Sequence, residues 1–218
     1  MQYNSWLYLF PFLGGSLILY YLLPIKRRWI GLLFSSLLFY ILTMKSLVVV
    51  VLFTTAAIYL GARVIEQFNE TFKLKKKELD RAARKELKNK TTTKIRYVIA
   101  FLCFINFGIL FVTKYFNFFG ENINALFNAL HIPAQIPFLN IFLPLGISFY
   151  TLSAISYVTD VARGVCKVER NYLRLLLFLI FFPVITEGPI SRYGQLGEEL
   201  KAEHRFDYKQ FCFGAQLI

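Results

Sequence analysis

Three ionisable residues lie in or against apolar sequence: Asp160, Glu187 and Arg192. A charge at membrane depth is costly, so such groups face a cavity or pair with one another. Glu187 and Arg192 flank Gly188-Pro189. Glycine can take backbone angles closed to other residues, and proline removes a backbone donor, so the pair marks a bend. A Glu187–Arg192 ion pair across it would either fix the bend or line a path for a substrate, and the residues alone leave both open. Asp160, Glu187, Gly188, Pro189 and Arg192 are therefore the candidate path residues. A general base is harder to find. Histidine is the side chain suited to that work near pH 7, and the chain has two. His131 falls in Leu130-His-Ile-Pro133, and His204 in the charged stretch Lys201-Ala-Glu-His-Arg205. Both read as surface or interfacial residues, so no catalytic residue is assigned in this chain. No metal-ligand spacing is present. Cys103, Cys166 and Cys212 lack paired spacing and read as free thiols.

Composition indicates the solvent these groups sit in. Of 218 residues, 56% are hydrophobic, 18% aromatic and only 17% charged. Soluble domains carry about 25% charged residues. Charge-free runs cover residues 7–23, 29–44, 46–60 and 97–113, each near the ~20 residues that cross a bilayer core. The sequence predicts an all-α, polytopic transmembrane protein. Its net charge of +12 sits in short loops, and residues 66–96 hold 11 Lys/Arg against 5 Asp/Glu. No aromatic-rich nucleic-acid motif accompanies that run, so the expected partner is the lipid bilayer and not nucleic acid. No cleavable signal peptide is evident. The first apolar run has no basic residue before it, and Lys26-Arg27-Arg28 follow it, the reverse of a secretory signal.

About six membrane helices are expected. The first five cover residues 7–23, 29–44, 46–65, 97–119 and 138–161. The β-branched run Val48–Val51 is expected to be helical, because in lipid the backbone must satisfy itself. Residues 66–96 read as a charged cytoplasmic helix that either extends the preceding span or lies on the inner leaflet. It carries a stripe from Phe68 to Leu87, with Asp80/Arg84 and Glu86/Lys90 as i,i+4 pairs, and Thr91-Thr-Thr93 is expected to break it. Asn106 is expected to hydrogen-bond between helices. Residues 120–137 read as an outer loop. The sixth helix begins near Tyr172, and its apolar stretch of about 14 residues is short for a span. Pro183, Gly188 and Pro189 interrupt it further. A short or re-entrant helix is therefore expected near 172–189, since irregular backbone at membrane depth is tolerated only against protein or a water-filled cavity. The final run, Phe211 to Ile218, would reach only about 12 Å as a helix. Residues 1–218 are thus expected to be the N-terminal part of one membrane domain.

Loop charge predicts the topology. Lys26-Arg27-Arg28, the 66–96 segment and Arg163/Lys167/Arg170 fall in alternate loops. The positive-inside rule puts them in the cytoplasm and the N-terminus outside, in a multi-pass cell-membrane protein.

Two motifs give this scaffold a family. The first is Leu143-Pro-Leu-Gly-Ile-Ser-Phe-Tyr-Thr151, continuing through Ala154-Ile-Ser-Tyr157 to Asp160 and Arg163-Gly164. The second is Phe181-Phe-Pro-Val-Ile-Thr-Glu-Gly-Pro-Ile-Ser-Arg-Tyr193. In this order and on apolar segments, they resemble the membrane-bound O-acyltransferase family, in its alginate O-acetyltransferase and D-alanyl-lipoteichoic-acid branches. Ile147-Ser-Phe-Tyr-Thr151 and Ser156-Tyr-Val-Thr-Asp160 lean to the alginate type, and Thr-Glu-Gly-Pro-Ile-Ser-Arg-Tyr to the D-alanyl type. The resemblance implies transfer of an acetyl or other short acyl group from a cytoplasmic thioester to a hydroxyl of an exported or cell-surface polysaccharide or teichoic acid. A partner acyltransferase protein is a further expectation. The donor would be acetyl-CoA or an acyl carrier protein, with no bound cofactor. Arg163, Lys167 and Arg170 would attract such an anion, or are ordinary positive-inside charge. The family's intramembrane histidine lies well downstream of Gly-Pro-Ile, and neither His131 nor His204 fits its pattern. The 218 residues alone are therefore expected to be inactive.

A reading from another class remains. Helices broken by Gly-Pro also build transporter sites, so a non-catalytic transporter fragment or a scaffold of a secretion complex is the alternative.

Overall fold

The computed structural model describes residues 11–44, 47–76, 79–138, 146–185 and 190–216. Among them, regular structure is helical throughout. The eight α-helices are α1 (Leu13–Leu22), α2 (Arg28–Met44), α3 (Val48–Lys75), α4 (Arg81–Lys114), α5 (Phe116–Ala129), α6 (Ile147–Arg163), α7 (Tyr172–Ile180) and α8 (Tyr208–Gln216). The segments Ile25–Met44, Val48–Lys75 and Arg81–Lys114 are long and apolar enough to cross a membrane. The Val48–Val51 run is helical as expected. Thr54 and Thr55 return their hydroxyls to the Val51 carbonyl, at 3.0 and 2.7 Å, so no buried donor is stranded there.

The charged stretch 66–96 is not one helix. α3 continues to Lys75, and α4 starts at Arg81 and runs unbroken through Thr91-Thr-Thr93 to Lys114. Asp80 takes an extended backbone before α4, which sets the new helix start. Three threonines cost a helix only a few tenths of a kcal/mol each, too little to stop one already propagating on both sides. The stripe from Phe68 to Leu87 is thus divided between two helices. Glu86 pairs with Lys90 at 2.6 Å, whereas Arg84 turns its guanidinium to the Leu79 carbonyl.

The outer loop also differs. α4 ends at Lys114, and α5 occupies much of the stretch that reads as loop. The chain then folds back on α5. Asn124 donates to the Ile136 carbonyl and accepts from the Ile136 amide, at 2.9 and 2.7 Å. Asn106 is buried, but its amide donates to Leu102 one turn earlier in the same helix.

The core gathers on α6 and α7. α6 buries Ile147, Tyr150, Thr151, Ala154, Tyr157, Val158 and Val161, the three-and-four spacing of one helical face. α7 is only nine residues long, yet Leu175 to Ile180 are each at most 3% exposed. It lies against α2 and α3. α3 and α4 approach closely at Gly61, where a Cβ would meet the tip of the Leu102 side chain.

Candidate functional site: a buried hairpin between the two motifs

α7 begins because Asn171 caps it, its side chain accepting from the Leu173 amide at 2.9 Å. Tyr172 donates to the Leu52 carbonyl and Tyr59 to the Arg170 carbonyl, fixing this entry against α3. Nine helical residues advance about 13 Å, well short of a bilayer core. The helix stops at Ile180, three residues before Pro183, and residues 182–185 form a turn. Phe182 sits there against Phe12 and Phe39, with ring centroids 5.3 and 6.2 Å away.

The chain then comes back. Tyr193, at the start of a π-helical turn (Tyr193–Gly197), donates 2.6 Å to Glu169, which lies in the loop before α7. The excursion therefore opens and closes at one end of the bundle, which is the re-entrant geometry expected near 172–189. Irregular backbone survives at depth because protein surrounds it.

The two motifs touch inside this hairpin. Gly146 opens α6 with φ +67°, and a Cβ there would overlap the Ile185 carbonyl oxygen. Glycine is thus required twice, for its backbone angle and for the close approach. Beside the contact is a cavity of about 20 Å³, with Tyr150, Ser153, Phe181, Ile185 and Ser191 among its lining. That is room for about one water molecule.

Glu169 closes the hairpin. It is 7% exposed. One carboxylate oxygen accepts from Tyr193 and from Lys201 Nζ at 2.8 Å, and the other accepts from the Asn171 amide at 2.8 Å. Its own amide donates to the Tyr157 hydroxyl at 2.9 Å. Burial alone would raise its pKa, but the Lys201, Tyr193 and Asn171 hydrogen bonds outweigh burial and hold the carboxyl below its ordinary value. The Tyr157 and Tyr193 rings lie 4.8 Å apart, and Lys201 stands over the Tyr193 ring at 4.9 Å. Sequence reasoning missed this residue. The available signal was that Glu169 is the lone acid between Asp160 and Glu187, inside a basic loop.

The candidate path residues are distributed as follows. Asp160 is half-buried near the end of α6, where its carbonyl accepts from the Val165 amide. Its charge, after burial, helps push the Cys166 thiol up to about 11. Arg192 is exposed and precedes the π-helical turn. No ion pair joins Asp160 and Arg192 among the described residues. Glu187, Gly188 and Pro189, and with them the Glu187–Arg192 pairing, lie outside the described residues, as does Pro144.

The basic loops converge. Arg170 pairs with Glu66 at 3.0 Å and lies 3.7 Å from Glu70. Arg28 donates to the His204 carbonyl, and Lys201 reaches Glu169. Residues 28, 66, 169–170 and 201–204 therefore share one end of the bundle. His204 stays half-exposed beside Glu199, and His131 is exposed with φ 57° in the turn after α5. Neither stands in an apolar helix.

A polytopic helical bundle with a short buried helix folded back between two Gly/Pro-rich motifs defines a membrane protein with a re-entrant element. The comparisons supply the family. A relative named "Probable alginate O-acetylase AlgI" in Pseudomonas aeruginosa is 30% identical over 91% of this chain and 34% of its own length. The protein of the same name in Pseudomonas syringae is 35% identical over 47% of this chain and 18% of its own. The "Teichoic acid D-alanyltransferase" of Bacillus subtilis is 34% identical over 32% of this chain and 18% of its own. The chain is a homologue of these membrane-bound O-acyltransferases, and it spans about a third or less of their lengths. No family model matches it, and no solved structure matches at a significant level.

Proposed function

We propose that the chain is part of a membrane-bound O-acyltransferase that moves an acetyl or other short acyl group onto a hydroxyl of an exported or cell-surface polysaccharide or teichoic acid. The observation that carries the reading is the Gly146–Ile185 contact, which joins the two family motifs at the turn of a re-entrant hairpin. The relatives' names support the same class. The basic end is cytoplasmic and the N-terminus outside, as the positive-inside rule requires. The donor approaches from the basic end as acetyl-CoA or an acyl carrier protein. The acceptor is reached from the other face, with a partner acyltransferase protein where one is needed.

Deprotonating an alcohol requires a positioned base. Among the described residues no histidine stands in an apolar helix, so residues 1–218 alone carry no turnover. The test is radiolabel transfer by native membranes that contain the protein. Labelled acetyl-CoA and labelled D-alanyl carrier protein are each offered, and incorporation into extracted polymer is counted. Incorporation that disappears on deleting the gene supports the reading, and unchanged incorporation overturns it. Turnover by purified residues 1–218 that His131→Ala or His204→Ala abolishes would identify a base within this chain.

A further inference from the structure

The basic end holds two grooves of similar size and opposite character. One, of about 490 Å³, contains Lys73, Lys167 and Arg170, but Glu66 and Glu70 line it too, and both lie within 4 Å of Arg170. Its three cations are largely offset by these two carboxylates. The other, of about 530 Å³, lies between α3, α4 and α6 and is lined by Lys88, Arg96 and Arg163. It has no acidic lining residue, and among the described residues these three cations enter no ion pair. Thr91 and Thr92 bring hydroxyls into it, Thr159 lines it with its hydroxyl donated to the Ile155 carbonyl at 2.8 Å, and Phe72, Ile95 and Ile99 give it an apolar side.

Its depth is set by α4. Arg96 is the last charge before the run 97–113, whose Tyr97, Phe101 and Phe104 are 74, 63 and 78% exposed and so face lipid. Lys88 lies eight residues earlier, about 12 Å along the helix. The groove therefore runs from the edge of the hydrocarbon through the headgroup layer, which is only about 5–8 Å thick on each side. Unneutralised cations and hydroxyls at that level, with Ile99 lining the membrane side, complement a phosphate that carries acyl chains. Basic pockets between membrane helices take such headgroups.

We propose that this groove is a binding site for an anionic phospholipid. Lys88, Arg96 and Arg163 hold the phosphate, the Thr91 and Thr92 hydroxyls donate to it, and the chains run past Ile99. The site is independent of acyl transfer and of the 181–193 motif. Coenzyme A and free phosphate share the phosphate chemistry but lack the two acyl chains, so the test separates the sources.

The purified chain is equilibrated with equal phosphatidylglycerol and phosphatidylcholine, and the retained lipids are counted by native mass spectrometry. Wild type should retain phosphatidylglycerol selectively. The triple variant Lys88→Gln, Arg96→Gln, Arg163→Gln should lose about tenfold or more of that preference. The equally charged control Lys75→Gln, Arg81→Gln, Lys85→Gln should keep it. Equal loss in both, or loss in neither, overturns the site. So does displacement of phosphatidylglycerol from wild type by millimolar inorganic phosphate or coenzyme A. If the triple variant is not monodisperse, Arg163→Gln on the last turn of α6 decides. It should lose preference several-fold, while Arg163→Lys retains it.

Discussion

Tyr193 donates a 2.6 Å hydrogen bond to Glu169, 24 positions earlier in the chain and on the other side of the buried helix α7. Because both residues sit at one end of the bundle, the intervening chain goes into the core and returns without crossing. Lys201 reaches the same carboxylate, so residues 193–201 are held at the basic end as well.

Labelling tests that geometry. In a background with Cys103, Cys166 and Cys212 replaced by serine, single cysteines at Asn89, Lys167, Gln195 and Glu121 should divide three to one. The first three should react with a membrane-impermeant maleimide from one side of sealed vesicles, and Glu121 from the other. Reaction of Gln195 and Lys167 from opposite faces would show that the chain crosses the membrane after Tyr172.

The Glu169 network should dominate the stability of the hairpin. Glu169→Gln leaves Lys201 without its buried partner. Removing one member of a fully buried pair costs about 3–5 kcal/mol, and because Lys201 is partly exposed and keeps Glu198 at 3.2 Å the cost here falls below that range. The expected result is a clear drop in the thermal midpoint of the detergent-extracted protein. The pH sign follows from the depressed carboxyl. Its contribution is fully present above the unfolded value of about 4.3 and is lost as pH falls through the lower folded value. Wild type should lose stability steeply below about pH 4, and Glu169→Gln should do so less steeply. Parallel curves would remove Glu169 from the explanation.

Cys166 lies in the same loop, half-buried, with its thiol pushed up to about 11. The thiolate is the reactive form. Alkylation by iodoacetamide should be slow at pH 7.5 and rise about tenfold per pH unit through pH 9.5. A rate that levels off below pH 9 would contradict the burial and the nearby Asp160 charge.

The sequence revealed helices better than their ends. Long charge-free runs identified α2 and α3, because bilayer length and backbone satisfaction leave few alternatives. The re-entrant element was legible for the same reason, since 14 apolar residues with prolines cannot span. The 66–96 stretch misled because two amphipathic helices in succession carry the same composition as one, and no Gly or Pro separates the end of α3 from the start of α4. Glu169 was hidden because its partners, Tyr157, Asn171, Tyr193 and Lys201, come together only after α7 folds back. Gly146 and Ile185 each stood in a motif, but nothing in the sequence marked them as neighbours.

The Glu187–Arg192 segment is the test of the substrate path. A purely structural ion pair predicts that Glu187→Gln with Arg192→Gln largely restores either single variant, because no unpaired charge remains. A path-lining role predicts a double variant that extracts at normal yield yet transfers little acyl group. Yield and transfer should be measured together in native membranes. Normal yield with normal transfer would sink the path role.

Gly146 gives the last and sharpest test, because Gly164 provides an internal control. Both glycines have positive φ, +67° and +73°. An alanine at Gly164 meets nothing within 4 Å, so it bears only the left-handed backbone cost of about 1–2 kcal/mol. An alanine at Gly146 bears that cost and also drives its methyl group into the Ile185 carbonyl, which is backbone and cannot rotate away. Overpacking of this kind adds about 1–3 kcal/mol. Gly164→Ala should therefore leave the extracted protein monodisperse with a modestly lower thermal midpoint. Gly146→Ala should lower it about twice as far and abolish acyl transfer in native membranes by separating the two motifs. If the two alanine variants match in midpoint and activity, the Gly146–Ile185 contact is not what holds the hairpin to α6.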